Sequence, residues 1–316
     1  MGPAMRRGLK RIVPAAVAAL GLTAAVGIAA AGAGPGQAGR GPSPNTRILY
    51  QGFDTVRSVR PDGSHQTVLA HVDLDPSHHI ISLRDLAGSR NGKRIVVTTE
   101  TLASAGPGSV LVNRIIRYNG RGRQRKPLFH PFVGDGVNSI AISADGRRIV
   151  YPKDGDLYIA GADGHGVRRL THGANAKHPA ISTDGRRIVF ERNTSGNQDI
   201  WGMNTSGGSM TRLTSSHADE TWPVFSPRGA GIAYGSDAGG GELRVMSARG
   251  TMDHLVTRTN AGEETRPDFS PGGGSIVYVG RAGGGFALFT IRVNGSHRKL
   301  VGEAGAAKGP QWTRLP

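Results

Sequence analysis

The chain contains no cysteine. That excludes disulfides, thiolate metal sites and a lipid-bearing cysteine behind a leader, so nothing covalent braces the fold. Aromatic residues make up 5% of the 316 positions and hydrophobic residues only 37%. This is low for one large central core and suits a radial fold, in which thin apolar interfaces repeat. Acids are also scarce: 23 Asp and Glu face 39 Lys and Arg, a formal charge of +16. Glycine and proline are plentiful, at 49 and 18 residues, and they punctuate many short strands.

Signatures of catalysis are missing too. No Gly-x-Ser-x-Gly nucleophile elbow occurs, and Ser206 and Ser275, in the nearest strings, read as turn residues. No His-x-x-x-His pair sits on a helix, and no Asp-x-Asp-x-Asp-Gly calcium loop is present. His78 and His79, with Asp73 and Asp75 nearby, read as a solvated loop, because adjacent residues of an extended chain point to opposite sides. The expectation is no metal, no cofactor and no catalytic residue.

The N-terminus is a processing segment. Arg6, Arg7, Lys10 and Arg11 precede an alanine-rich apolar stretch, and Ala31-Gly32-Ala33 offers a small-residue cleavage site. Residues 1–33 therefore read as a signal peptide, or as an anchor if uncleaved, since roughly 20 apolar residues span a bilayer. The abundance of small residues favours cleavage. Residues 34–45 are a flexible linker of Gly, Pro, Gln and Ser. Removing the four basic leader residues lowers the charge from +16 to +12, which attracts anionic polymers or head groups. No five basic residues run together, so diffuse solvated charge is the simpler account; the densest run is Arg121-Gly122-Arg123-Gln124-Arg125-Lys126.

What is present is a repeat. Ile140–Tyr151 reads Ile-Ala-Ile-Ser-Ala-Asp-Gly-Arg-Arg-Ile-Val-Tyr, and Pro179–Phe190 repeats it nearly residue for residue. Two looser copies start at Pro223 and Pro267, which places the turn positions Asp145, Asp184, Arg228 and Gly272 at steps of 39, 44 and 44 residues. A period of about 40–45 residues is that of a four-stranded propeller blade. Asp and Gly supply the turn, Ile and Val the buried strand, and the arginines are expected to face solvent. An earlier copy runs through Leu83 and Asn91-Gly92. Arg47-Ile48-Leu49-Tyr50 is a second strand without a first, and Pro310-Gln311-Trp312-Thr313 is a first strand without a second. A ring closed by the C-terminal strand joins the two orphans, removes open sheet edges and gives six blades over residues 46–316: an all-β, six-bladed β-propeller.

The Ser-x-Asp-Gly turn, the Arg-Arg-Ile-Val-Tyr strand, Asp199-Ile200-Trp201-Gly202-Met203-Asn204 and the Arg168-Arg169-Leu170-Thr171 ending resemble the repeat of TolB-like β-propellers. The resemblance implies an exported, non-enzymatic protein-binding module of the cell envelope. Similar repeats in propeller peptidases and polysaccharide lyases imply the rival, a carbohydrate- or peptide-processing enzyme using the channel. TolB itself carries an α/β domain ahead of its propeller, whereas only leader and linker precede Thr46 here.

Aligning the repeats brings Asp85, Ser139, His178, Trp222, Arg266 and Gly309 to one position at the channel mouth, with Lys177, Glu220 and Glu264 in the preceding loops. Such residues either tie neighbouring blades together or recognise a partner. The expected partner is an envelope protein or an anionic cell-wall polymer met by a monomer. No nucleic acid is expected, and membrane attachment follows only if the leader is retained.

Overall fold

In the computed structural model the described residues are 46–52, 54–72, 79–105, 108–129, 132–133, 137–194, 196–261, 265–283, 285–303 and 308–314. The expected leader and linker, residues 1–45, lie outside them. No helix among them is long and apolar enough to cross a membrane. Six antiparallel sheets form six blades. Blade 1 holds residues 46–71, blade 2 residues 79–133, blade 3 residues 141–169, blade 4 residues 176–212, blade 5 residues 220–258 and blade 6 residues 268–303. The last strand, Lys308–Arg314, becomes the inner strand of blade 1 and pairs Trp312 with Ile48 and Arg314 with Thr46. The ring closes as expected.

Local chemistry explains each blade. In the turn of blade 3, Ser143 Oγ donates to Asp145 Oδ1 (2.6 Å), the Arg147 N–H donates to the same oxygen (2.9 Å), and Gly146 takes φ +74°. Blade 4 repeats this with Ser182, Asp184 and Gly185. Blades 5 and 6 lack the Asp but keep the backbone bonds Gly229 N–H to Ser226 O and Gly273 N–H to Ser270 O, both 2.8 Å. The Arg-Leu-Thr ending ties the outer strand of its blade to the third strand. Arg169 and Arg212 pair with the buried Asp156 and Asp199, and Thr171 and Thr214 accept from the Leu157 and Ile200 N–H groups. Glu242 and Arg258 take the same roles in blade 5.

The apolar residues form six clusters, one in each interface between adjacent blades. Ile48, Val277 and Trp312 pack blade 1 on blade 6, while Val150, Ile188 and Phe190 pack blade 3 on blade 4. No single core exists among the described residues, as the low hydrophobic fraction implies.

Two expectations need correction. The second arginine of each Arg-Arg pair does not merely face solvent. Arg148 and Arg187 donate to the turn carbonyls of the next blade, Gly185 O (3.4 Å) and Gly229 O (2.7 Å), and Arg94 does the same to Gly146 O (2.6 Å). The spacing that puts the side chain at the strand start also puts it beside the neighbouring turn. Blade 2 is also longer than a regular blade. Its middle hairpin pairs continuously from Arg94–Asn119 to Ala105–Gly108, and a fifth strand, Phe132–Val133, joins a blade expected to have four.

Candidate functional site: the channel mouth

The inner strands line the channel, and second-strand pairing fixes their alignment. Ala87, Ala141, Ala180, Val224 and Asp268 sit opposite Val96, Val150, Val189, Ala233 and Val277. Two residues earlier lie Asp85, Ser139, His178, Trp222 and Arg266. With Gly309 they all line one cavity of about 110 Å³, several times the ~10–15 Å³ that one water needs.

Backbone geometry marks this ring. His178, Trp222, Arg266 and Gly309 have φ of +45°, +54°, +38° and +61°. Left-handed backbone costs a bulky residue roughly 1–2 kcal/mol. Each is followed by a proline, and the pairing slips at 177–180 and 221–224, so the inner strands bulge at the mouth. The bulge turns three large side chains onto one another. The His178 and Trp222 rings stack with centroids 3.5 Å apart, and the Arg266 guanidinium lies 3.8 Å from the Trp222 centroid. A cation on an indole contributes about 0.5–2 kcal/mol.

Buried acceptors carry the strained backbone from blade to blade. Asp85 Oδ2 accepts from the Ile140 N–H (2.9 Å), Ser139 Oγ from the His178 N–H (3.2 Å), and Asp268 Oδ2 from the Trp312 N–H (2.7 Å). Glu191, 2% exposed, uses one oxygen for both the Trp222 N–H and His178 Nδ1, each at 2.5 Å. Burial pushes the Asp85 carboxyl above its usual range, opposed by Arg266, the Ile140 N–H and His178. Asp268 is pushed up to about 6, again by burial, against the pull of Arg90 and the Trp312 N–H. Arg90 reaches across the channel from blade 2. It donates to Phe269 O (3.4 Å) and Phe225 O (3.3 Å) and lies 3.5 Å from Asp268. Beyond the mouth, the channel is therefore crossed by a salt bridge.

The mouth thus gathers Asp85, Ser139, His178, Trp222, Arg266 and Gly309. It does not gather Lys177, which sits opposite Glu191 in the sheet and does not line the cavity. Glu220 lines a different pocket with Tyr234, Arg244 and Asp253, accepts from Ser216 Oγ, and is held above the usual carboxylate range by burial. Glu264, Asp73, Asp75 and His78 lie outside the described residues. Among the described residues no three His, Asp or Glu side chains converge to hold a metal ion. Sequence reasoning missed Glu191, Arg90 and Asp268. Only Asp268 carried a signal, an acid where the other copies have Ala, Val or Gln.

The fold and this ring define a six-bladed propeller with a polar, aromatic mouth at its channel. The TolB beta propeller domain matches residues 124–316, and the chain belongs to that family. Among solved structures the chain is similar to TolB from Acinetobacter baumannii, at 20% identity and TM-score 0.66, covering 84% of this chain and 66% of that one. A chain of a nidogen/laminin complex follows at 14% identity and TM-score 0.63, covering 85% and 98%. An oligogalacturonate lyase in complex with manganese follows at 13% and 0.52, covering 77% and 73%. At these identities the likeness is one of fold. No curated protein sequence matches the chain.

Proposed function

We propose that the protein is an exported, non-enzymatic propeller that docks a cell-envelope partner, a protein or a wall component, at its channel mouth. The observation that carries this reading is the His178–Trp222–Arg266 stack. It is held in strained backbone by a buried carboxylate and faces a cavity. Stored strain at a cluster of recognition-type side chains favours a binding role, and Trp and Arg are the residues most often decisive at interfaces. TolB-type propellers serve as protein-binding modules of the envelope, which agrees with this reading. The rival reading, an enzyme working in the same channel, has only likeness of fold behind it.

The test replaces Trp222 and Arg266 with Ala and repeats affinity capture from envelope extract. Loss of the captured partner by a variant that still unfolds cooperatively is expected. Full capture by the folded variant overturns the proposal.

A further inference from the structure

The mouth does not use the most basic stretch of the chain. From Thr101 to Gly134 there is no Asp or Glu, while six cations occur: Arg114, Arg117, Arg121, Arg123, Arg125 and Lys126. The facing wall, residues 63–72, is equally free of acids. Two of the six cations are occupied within the fold, Arg114 by Thr101 Oγ and Arg117 by Ala162 O. The other four are exposed, and among the described residues their side chains make no hydrogen bond or ion pair.

These four stand on a braced loop. Asn119 Oδ1 accepts from the Arg121 and Arg123 N–H groups (3.1 and 2.9 Å), and the Gly122 N–H donates to Asn119 O (2.9 Å). Gly122 has φ +72°, and a Cβ there would lie 2.1 Å from Leu69 O, so only glycine lets the loop seat against the outer strand of blade 1. Backbone holds the loop and leaves its arginines to solvent. Between loop and strand runs a groove of about 410 Å³, lined by Val68, His71, Tyr118, Arg123 and Arg125 among others. Elsewhere Arg94, Arg148, Arg168 and Arg187 are taken up by neighbouring carbonyls.

We infer that this groove between blades 1 and 2 is a second binding site, for a linear phosphate-bearing polyanion. Repeated negative charge complements four exposed cations within six residues, Arg123 and Arg125 lining the groove and Arg121 and Lys126 flanking them in sequence. Three of the four are arginines, whose fork fits phosphate oxygens in pairs. The site is independent of the mouth. It also revises the expectation of diffuse charge, because the excess at this place is concentrated and unspent.

The test titrates fluorescently labelled inorganic polyphosphate into the full-length protein at several salt concentrations. The groove set changes Arg121, Arg123, Arg125 and Lys126 to Gln. A control set removes the same charge from exposed turn and loop arginines, Arg147, Arg186, Arg228 and Arg249. The groove set is expected to weaken binding at least tenfold and to flatten the salt dependence by about 3 to 3.5 in log–log slope, since each of four phosphate contacts contributes roughly 0.7–0.9. The control set should cost less than threefold, and Trp222→Ala nothing. If the groove set fails to fold, replacing only the three arginines by Lys keeps the charge and should leave the salt slope but weaken binding several-fold, because a lysine point charge lacks the paired fork; unchanged affinity overturns the inference. Equal losses in both sets overturn the inference, as does binding to phosphatidylglycerol vesicles without binding to polyphosphate.

Discussion

Trp222 and His178 belong to neighbouring blades, yet their rings stack at 3.5 Å with planes inclined by only 23°. Both residues hold left-handed backbone, and a single oxygen of Glu191 bonds to both. The carboxylate therefore positions the two halves of the stack.

Glu191→Ala removes the acceptor of a buried N–H and of His178 Nδ1. It should destabilise the fold by about 2–3 kcal/mol, the usual cost of orphaning buried polar groups, and it should shift the Trp emission spectrum. Glu191→Gln keeps one acceptor and should lose about half as much. Denaturant unfolding of both variants measures this.

The two arginines of each repeat should separate in the same assay. Arg187→Ala loses the 2.7 Å bond to Gly229 O and the contact over Phe225, an expected cost of about 1 kcal/mol. Arg186→Ala removes an exposed side chain and should change stability by less than about 0.5 kcal/mol.

Two carboxylates give opposite pH dependences. Burial disfavours the charged form of Asp156, but the Ala174 and Gly173 N–H groups, the Thr171 hydroxyl and Arg169 outweigh it and lower its pKa to about 2. Its stabilisation is present above the unfolded value near 4 and is lost as pH falls through 2. Asp156→Asn should cost roughly 2 kcal/mol at neutral pH and nothing below pH 2. Asp268 is raised to about 6, so the folded state holds its proton longer than the unfolded chain. This group lowers stability as pH rises from about 4 to 6. The stability of Asp268→Asn relative to the natural protein should therefore rise by about 2–3 kcal/mol between pH 4 and 7. A constant difference would contradict the buried charge.

The blades and the mouth positions were legible because they repeat. A strand period of two and a blade period near 40 residues place Asp85, Ser139, His178, Trp222, Arg266 and Gly309 in one ring without any coordinates. The bulge was not legible: a residue before proline is ordinarily extended, and left-handed backbone at His178 and Trp222 arises only when neighbouring blades supply acceptors. Glu220 misled because it lies two residues before Trp222, on the far side of that bulge, where the strand faces another pocket. Glu191 joins non-equivalent positions of its own and the next blade, while Arg90 meets Asp268 across the channel, and a linear repeat does not encode such contacts. The Arg121–Lys126 run was visible, but whether its cations were already occupied could be read only from the folded chain.

Site-specific photo-crosslinking tests the docking account most directly. A photoreactive residue at Asn138, exposed and adjacent to Ser139 of the mouth ring, and one at Arg147, on an exposed turn, are compared in cells. The mouth position should give one discrete envelope adduct that the turn position lacks, and Trp222→Ala should abolish it while the protein stays folded. Identical adducts from both positions, or a mouth adduct indifferent to Trp222, would contradict docking at the channel mouth.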